Sequence, residues 1–126
     1  MDKTTTLSRK NLHIVAIVYI YTSFNNTLIT ITNIKGQTIL FGSAGSLGLK
    51  GSKRSTAFAG QSIADVLGKK LFILGFRFVY IQFKGFGSAR KSVLKGFLGS
   101  SLKILTIKDK TNIAHNGCKA KKKRRI

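Results

Sequence analysis

QTILFGSAGSLGLKGSKRSTAFAG, residues 37–60, changes character twice, and those changes decide the fold class. QTILFGS at 37–43 has the β-branched and aromatic content of a strand. Glycines at 42, 45, 48 and 51 then open a loop that bears Lys50, Lys53 and Arg54. Ser55 or Thr56 stands where a hydroxyl caps the first turn of a helix. A strand that feeds a helix through a loop is the unit from which α/β domains are built. Glycine reaches positive φ without penalty, so backbone N–H groups in such a loop can converge on an anion. The helix N-terminus that follows is itself electropositive, and the ligand chemistry implied is phosphate.

Upstream, HIVAIVYIY at 13–21 is β-branched and aromatic on both faces, which predicts a central strand covered on both sides. SFNN at 23–26 is a turn signal. TLITITN at 27–33 alternates, giving Leu28, Thr30 and Thr32 to one face and Thr27, Ile29 and Ile31 to the other. Lys35-Gly36 turns the chain into the strand at 37–43, so three strands read as an antiparallel meander.

Downstream, from Thr56 to about Leu74, the period becomes helical. Ala59, Ile63, Val66, Leu67, Leu71 and Leu74 form a stripe for burial, Lys69 and Lys70 lie where the helix dipole favours cations, and Gly75 terminates. FRFVYIQF at 76–83 returns to strand character and leads into a second basic loop, KGFGSARKS at 84–92. A shorter helix buries Val93, Leu94, Phe97, Leu98 and Leu102, with Gly96 and Gly99 weakening it, and LKILTIKD at 102–109 is a fifth strand. The order β-β-β-α-β-α-β predicts an α/β fold with a mixed five-stranded sheet and two helices. One domain spans 12–109, between a flexible basic arm at 1–11 and a basic tail at 110–126 whose last eight residues include six Lys or Arg.

The charge names the partner class. Lys plus Arg number 23 against 3 Asp plus Glu, a net charge of +20 that opposes compaction of the isolated chain and favours a polyanion. A hydrophobic content of 43% still allows a core. The basic residues do not line one long amphipathic helix, so nucleic acid rather than a membrane surface is expected. One cysteine, Cys118, excludes an internal disulfide framework, and no run approaches a spanning helix, which reads as a soluble protein of a reducing compartment.

Catalysis is not expected. Metal-dependent phosphoryl chemistry needs clustered carboxylates, whereas Asp2, Asp65 and Asp109 are dispersed over arm, helix and strand end. The glycine loop fails the nucleotide patterns, because Lys50 follows Leu49 rather than a glycine and precedes Gly51 rather than Ser or Thr. His13 reads as a half-buried strand residue. His115 and Cys118 are too few for zinc, so no metal and no cofactor are predicted. Asn116-Gly117 requires a tight turn, which either presents His115 and Asn116 to RNA or is only a flexible turn, and it is a site where succinimide formation is sterically easy. Lys50, Lys53, Arg54, Lys84, Arg90 and Lys91 occupy two strand-to-helix loops, which a layered α/β domain can bring to one sheet edge. Phe24 and Phe86 either stack on exposed bases there or pack beneath their turns.

Four segments then carry a resemblance: SFNNTLITIT (23–32), GSAGSLGLKGSKRSTAFAGQ (42–61), KGFGSAR (84–90) and IAHNGCKAKKKRRI (113–126). Together they resemble the universal small-subunit ribosomal protein S11 family, in its order and spacing from about His13 onward. The resemblance implies a ribonuclease-H-like topology without the catalytic acids. It implies a place on the platform of the small subunit, against the central domain and 3′ region of small-subunit rRNA. Neighbours there would be proteins of the S18, S6, S21 and S7 families, with mRNA close by. Carried over position by position, RNA contact falls to Asn25 and Asn26, and to Gly48, Lys50, Gly51, Lys53, Arg54 and Ser55. It falls also to Lys84, Gly85, Gly87 and Arg90, and to His115, Asn116 and Gly117 with Lys119, Lys121, Lys122, Lys123, Arg124 and Arg125.

The chain departs from the family pattern at Phe86, where proline is usual, at Ala89, where glycine is usual, and at Ala120-Lys121, where a proline pair is frequent. Phe86 frees φ and adds bulk, and Ala89 removes easy access to positive φ, so an altered loop is expected. The chain contains no proline at all, as an AT-rich organelle genome would impose. It begins close to the matched region without an arginine-rich presequence, which fits synthesis inside an organelle. The expected location is the mitochondrion, with plastid or bacterial cytoplasm as alternatives. On physical grounds alone, a non-ribosomal RNA-binding or RNA-chaperone module competes with this reading, and a ribonuclease-H-like nuclease is opposed by the scattered aspartates.

Overall fold

Residues paired across a sheet share a face, and here the pairing collects the apolar positions. Ile20 pairs with Ile29 and Phe83, Val18 with Ile31 and Ile81, and Ala16 with Val79. All eight belong to one buried cluster. The computed structural model describes residues 15–48, 56–87 and 89–125, Leu47 by its backbone only. Its elements are β1 (Val15–Thr22), β2 (Thr27–Thr32), β3 (Thr38–Ser43), α1 (Ala57–Ile73), β4 (Phe78–Lys84), α2 (Arg90–Leu98) and β5 (Lys103–Asp109), with one 3-10 turn at Gly45–Leu47. The predicted order of strands and helices is the observed one.

The five strands form one sheet in the order β3-β2-β1-β4-β5. β1 to β3 are an antiparallel meander, and β1, β4 and β5 run parallel. Both helices join the same cluster through Ala59, Ile63, Ala64, Leu67 and Leu71 of α1 and Val93 and Phe97 of α2, so they cover one face. Burying each large aliphatic or aromatic chain contributes about 1.5–3 kcal/mol, which lets the core outweigh the self-repulsion of the charge.

The expectation that β1 is covered on both sides is corrected. Ala16, Val18 and Ile20 are buried, but Tyr19 and Tyr21 on the opposite face are 38% and 49% exposed. An unbroken apolar run disguised a one-sided strand, because its outward positions Ile17, Tyr19 and Tyr21 are aliphatic or aromatic rather than polar. β2 follows its alternation, with Ile29 and Ile31 inward and Leu28 and Thr30 half-buried on the other face.

Two further corrections concern the helices. On α1, Val66 and Leu74 are exposed, and Gly60 and Gly68 join the buried set instead. On α2, Leu98 is exposed, and Leu102 is buried beyond the helix end. The reason is a close helix–helix seam. A Cβ on Gly60 would lie 2.9 Å from Ala89 Cβ, one on Gly68 2.4 Å from Ser100 Oγ, and one on Gly96 2.5 Å from Ala64 Cβ. Gly60, Ala64 and Gly68 recur every four residues, which puts the small residues on one α1 stripe against α2. The Thr56 hydroxyl accepts the Ala59 N–H at 3.2 Å as the expected cap, and Gly75, at φ +102, ends α1 as expected.

Candidate nucleic-acid interface

Because β2 opposes β1 and β3, four strands finish at the same edge: β1 at Thr22, β3 at Ser43, β4 at Lys84 and β5 at Asp109. β2 starts there at Thr27, and the loops leading into α1 and α2 leave from it. The turn at 23–26, the start of the glycine loop at 44–48, the second basic loop and the root of the tail thus share one rim, whereas Lys50, Lys53 and Arg54, which the sequence expects at the same edge, lie outside the described residues.

In the first turn the Ser23 Oγ accepts the Asn26 N–H at 3.1 Å, and the Asn26 Oδ1 accepts the Thr27 N–H at 2.9 Å. Asn26 is therefore partly committed to the turn, while Asn25 is exposed and Phe24 is 83% exposed. The glycine loop begins with a serine staple: the Ser46 hydroxyl donates to the Ser43 carbonyl at 2.6 Å, and the Ser43 Oγ accepts the Ser46 N–H at 3.2 Å. Gly48 has φ +81, and a Cβ there would meet nothing within 4 Å. Lys50, Gly51, Lys53, Arg54 and Ser55 lie outside the described residues.

The second loop is locked against the first turn. Gly85, at φ +87, approaches so closely that a Cβ would fall 2.1 Å from the Thr22 carbonyl oxygen, and the Gly87 N–H donates to the Thr22 Oγ1 at 3.1 Å. Gly85 and Gly87 serve packing between the two turns. Lys84 is exposed, and Phe86 is 69% exposed, so neither Phe24 nor Phe86 packs beneath its turn. Ala89 has φ −83 and is buried against Gly60, so the position needs no positive φ and its methyl group fills the helix seam.

Arg90 holds this rim together. Its Nη1 donates to the Asp109 Oδ2 at 2.9 Å, and its Nη2 donates to the Gly85 carbonyl and, at 3.1 Å, to the Thr111 Oγ1. The guanidinium also lies 5.5 Å from the Phe83 ring centroid and 5.9 Å from that of Phe86. The Thr111 hydroxyl donates to the Asp109 Oδ1 at 2.6 Å and accepts the Gly85 N–H at 3.2 Å. The Thr111 hydroxyl chiefly, then Arg90, hold the Asp109 carboxyl down at about 2. Asp109 and Thr111 were not anticipated as site residues, since their partners are distant in sequence and leave no local signal.

Beyond Thr111 the tail is exposed, including His115, Gly117, Lys119, Lys121, Lys122, Lys123, Arg124 and Arg125. Asn116 has φ +56, the left-handed turn that its Asn-Gly pair called for. Among the described residues no helix is long and apolar enough to cross a membrane, and no three His, Cys, Asp or Glu side chains come together. What this edge offers is a cationic surface: glycine turns, exposed lysines, exposed aromatics and an extended basic tail.

A family model described as ribosomal protein S11 matches residues 16–125. The chain is similar to the small ribosomal subunit protein uS11m of Prototheca wickerhamii, 46% identical over 110 residues that cover 87% of this chain and 86% of the relative. It is 40% identical to uS11c of Phaeodactylum tricornutum over 98% of this chain and 95% of the relative. With uS11 of Methylobacterium radiotolerans it shares 41% identity over 94% and 91%.

Proposed function

This chain belongs to the ribosomal protein S11 family, and from that membership we propose that it is a structural constituent of the small ribosomal subunit that binds rRNA and catalyses no reaction. The observation that carries the reading is the single rim on which the first turn, the start of the glycine loop, the second loop and the tail root converge. Contacts of this type neutralise phosphates and position the protein without reading sequence.

Within that reading, Asn25, Gly48, Lys84, His115, Asn116 and the tail cations meet RNA directly, joined by Lys50, Lys53, Arg54 and Ser55. Arg90, Gly85 and Gly87 act one step behind, shaping the rim. The rRNA regions are the central domain and the 3′ region, the protein neighbours are of the S18, S6, S21 and S7 families, and mRNA passes nearby. The domain is 12–109, followed by a tail at 110–126 that threads into RNA, while the arm at 1–11 lies outside the described residues. Strand order 3-2-1-4-5 with only the second strand reversed supports a ribonuclease-H-like topology. The absence of proline supports an organellar ribosome, with the mitochondrion as the first choice and plastid and bacterial particles as the alternatives, all three being compatible with the similarity to uS11m, uS11c and uS11.

Sucrose-gradient fractionation of the source lysate at low and high salt, with mass spectrometry of the fractions, tests the reading. Co-migration with small subunits through the high-salt wash is expected. Recovery only in light fractions overturns it in favour of a free RNA-binding module.

A further inference from the structure

The sheet face opposite the helices carries an ordered set of side chains, of which the rim uses only Lys84. Register places Phe41, Thr30, Tyr19, Gln82 and Lys108 in one row across it. Leu28, Tyr21 and Lys84 form the next row toward the rim, and Ile17, Tyr80 and Thr106 the row on the other side. The chain has 3 tyrosines, and all of them, Tyr19, Tyr21 and Tyr80, lie on this face. Phe41 is 64% exposed. One shallow hollow is lined by Tyr19, Tyr21, Thr30, Gln82, Lys84 and Lys110, and a second adjoins it through Gln82 beside Tyr80 and Lys108.

The electrostatics of the face select its occupant. Among the described residues the acids are Asp65, on α1, and Asp109, which pairs in register with Phe83 of the core side and is held by Arg90. Neither lies on the open face, whose charges are lysines. Aromatic rings with polar neighbours and lysines suit a nucleobase and its phosphate, and a sheet that displays aromatics in this way can stack unpaired bases. Tyr19 and Tyr21, two residues apart on one strand, are separated by about 7 Å, within reach of successive nucleotides splayed from a single strand. Lys84 and Lys110 make the hollow continuous with the rim.

We propose that this open face is a second RNA site, in which unpaired nucleotides stack on Tyr19 and Tyr21 while Lys84, Lys108 and Lys110 hold their phosphates. It rests on the rRNA reading given above and adds base stacking to what is otherwise phosphate contact.

The chain has no tryptophan, so its intrinsic emission comes from this face. The full chain is titrated with oligouridine and with an abasic oligonucleotide of equal length, following tyrosine emission and, separately, the anisotropy of a label on the nucleic acid. Expected are quenching by oligouridine and affinity at least about fivefold above that of the abasic strand, the lower end of one stacked base. Tyr21→Ala is expected to remove that margin and leave abasic binding unchanged, whereas Tyr21→Phe keeps it. Circular dichroism checks folding, and if Tyr21→Ala is unfolded, the wild-type comparison of the two strands decides. Equal affinity for both strands with unchanged emission overturns the stacking site and leaves the rRNA reading intact. Unchanged RNA binding by folded Tyr21→Ala, with loss of a neighbouring protein from particles that carry it, overturns it in favour of a protein-docking face. Binding to neither strand, with absence from small subunits, fails the rRNA reading itself.

Discussion

Arg90 shows how a residue chosen for its charge can serve by geometry. Its contacts with Asp109, Gly85 and Thr111 tie the end of β5 to the second loop, and so fix where the tail leaves the domain. The linkage has a definite sign. A carboxylate held at about 2, below its ordinary 3.8, adds stability that is present above about pH 4 and lost as pH falls through about 2. In an acid titration followed by NMR, the Gly85 amide is expected to shift with a midpoint near 2, and Asp109→Asn is expected to abolish that step. A wild-type midpoint near the ordinary value would show the contacts to be absent in solution. At Gly85, positive φ and a backbone oxygen 2.1 Å from any Cβ act together, so Gly85→Ala should destabilise by about 3 kcal/mol in urea unfolding. Gly36, at φ +89 with open space around it, provides the contrast: Gly36→Ala should cost about 1 kcal/mol. The sequence disclosed the location of this loop through its glycines and basic residues. It did not disclose Arg90's role, because the partners lie 19 and 21 residues further along the chain.

At the scale of elements, the glycines of α2 separate propensity from packing. Gly96→Ala would ordinarily raise helix propensity by about 1 kcal/mol. Here the added methyl group meets Ala64 Cβ at 2.5 Å and the Gln61 carbonyl at 2.8 Å, neither of which can swing aside. Overpacking of about 1–3 kcal/mol should therefore win, giving a lower Tm. Gly99 at the end of α2 has φ −74, and a Cβ there would come no nearer than 3.5 Å to the Lys95 carbonyl oxygen, so Gly99→Ala should be neutral or stabilising by up to about 1 kcal/mol. Equal melting temperatures for the two variants would contradict the close helix seam. Every strand and helix was legible from periodicity and punctuation, since period 2 and period 3.6 are properties of local sequence. Which apolar residues stay outside was less legible. Val66 and Leu98 are as apolar as their buried neighbours, and only the narrow approach of α1 to α2, set by Gly60, Gly68 and Gly96, turns them to solvent.

For the whole molecule, strand direction converts scattered charge into an interface. Four strands ending at one edge bring together loops from distant parts of the chain, and among the described residues the one carboxylate there, Asp109, is paired to Arg90, so that the edge is a cationic surface rather than a catalytic cleft. The tail extends this surface beyond the fold, because nothing after Thr111 is buried among the described residues. Its cations can then be separated from those of the domain by salt dependence. Removing residues 119–126 deletes Lys119, Lys121, Lys122, Lys123, Arg124 and Arg125, and among the described residues it touches no buried side chain. If all of them sit on phosphates of single-strand character, the slope of log affinity against log salt should fall by about 4. The core should unfold at an unchanged urea midpoint, since the Arg90, Thr111 and Asp109 linkage is upstream of the cut. Filter binding to a small-subunit rRNA fragment over a salt series measures the first quantity, and urea unfolding the second. An unchanged slope would mean that the tail's charges remain solvated in the complex and that the rim alone holds the RNA.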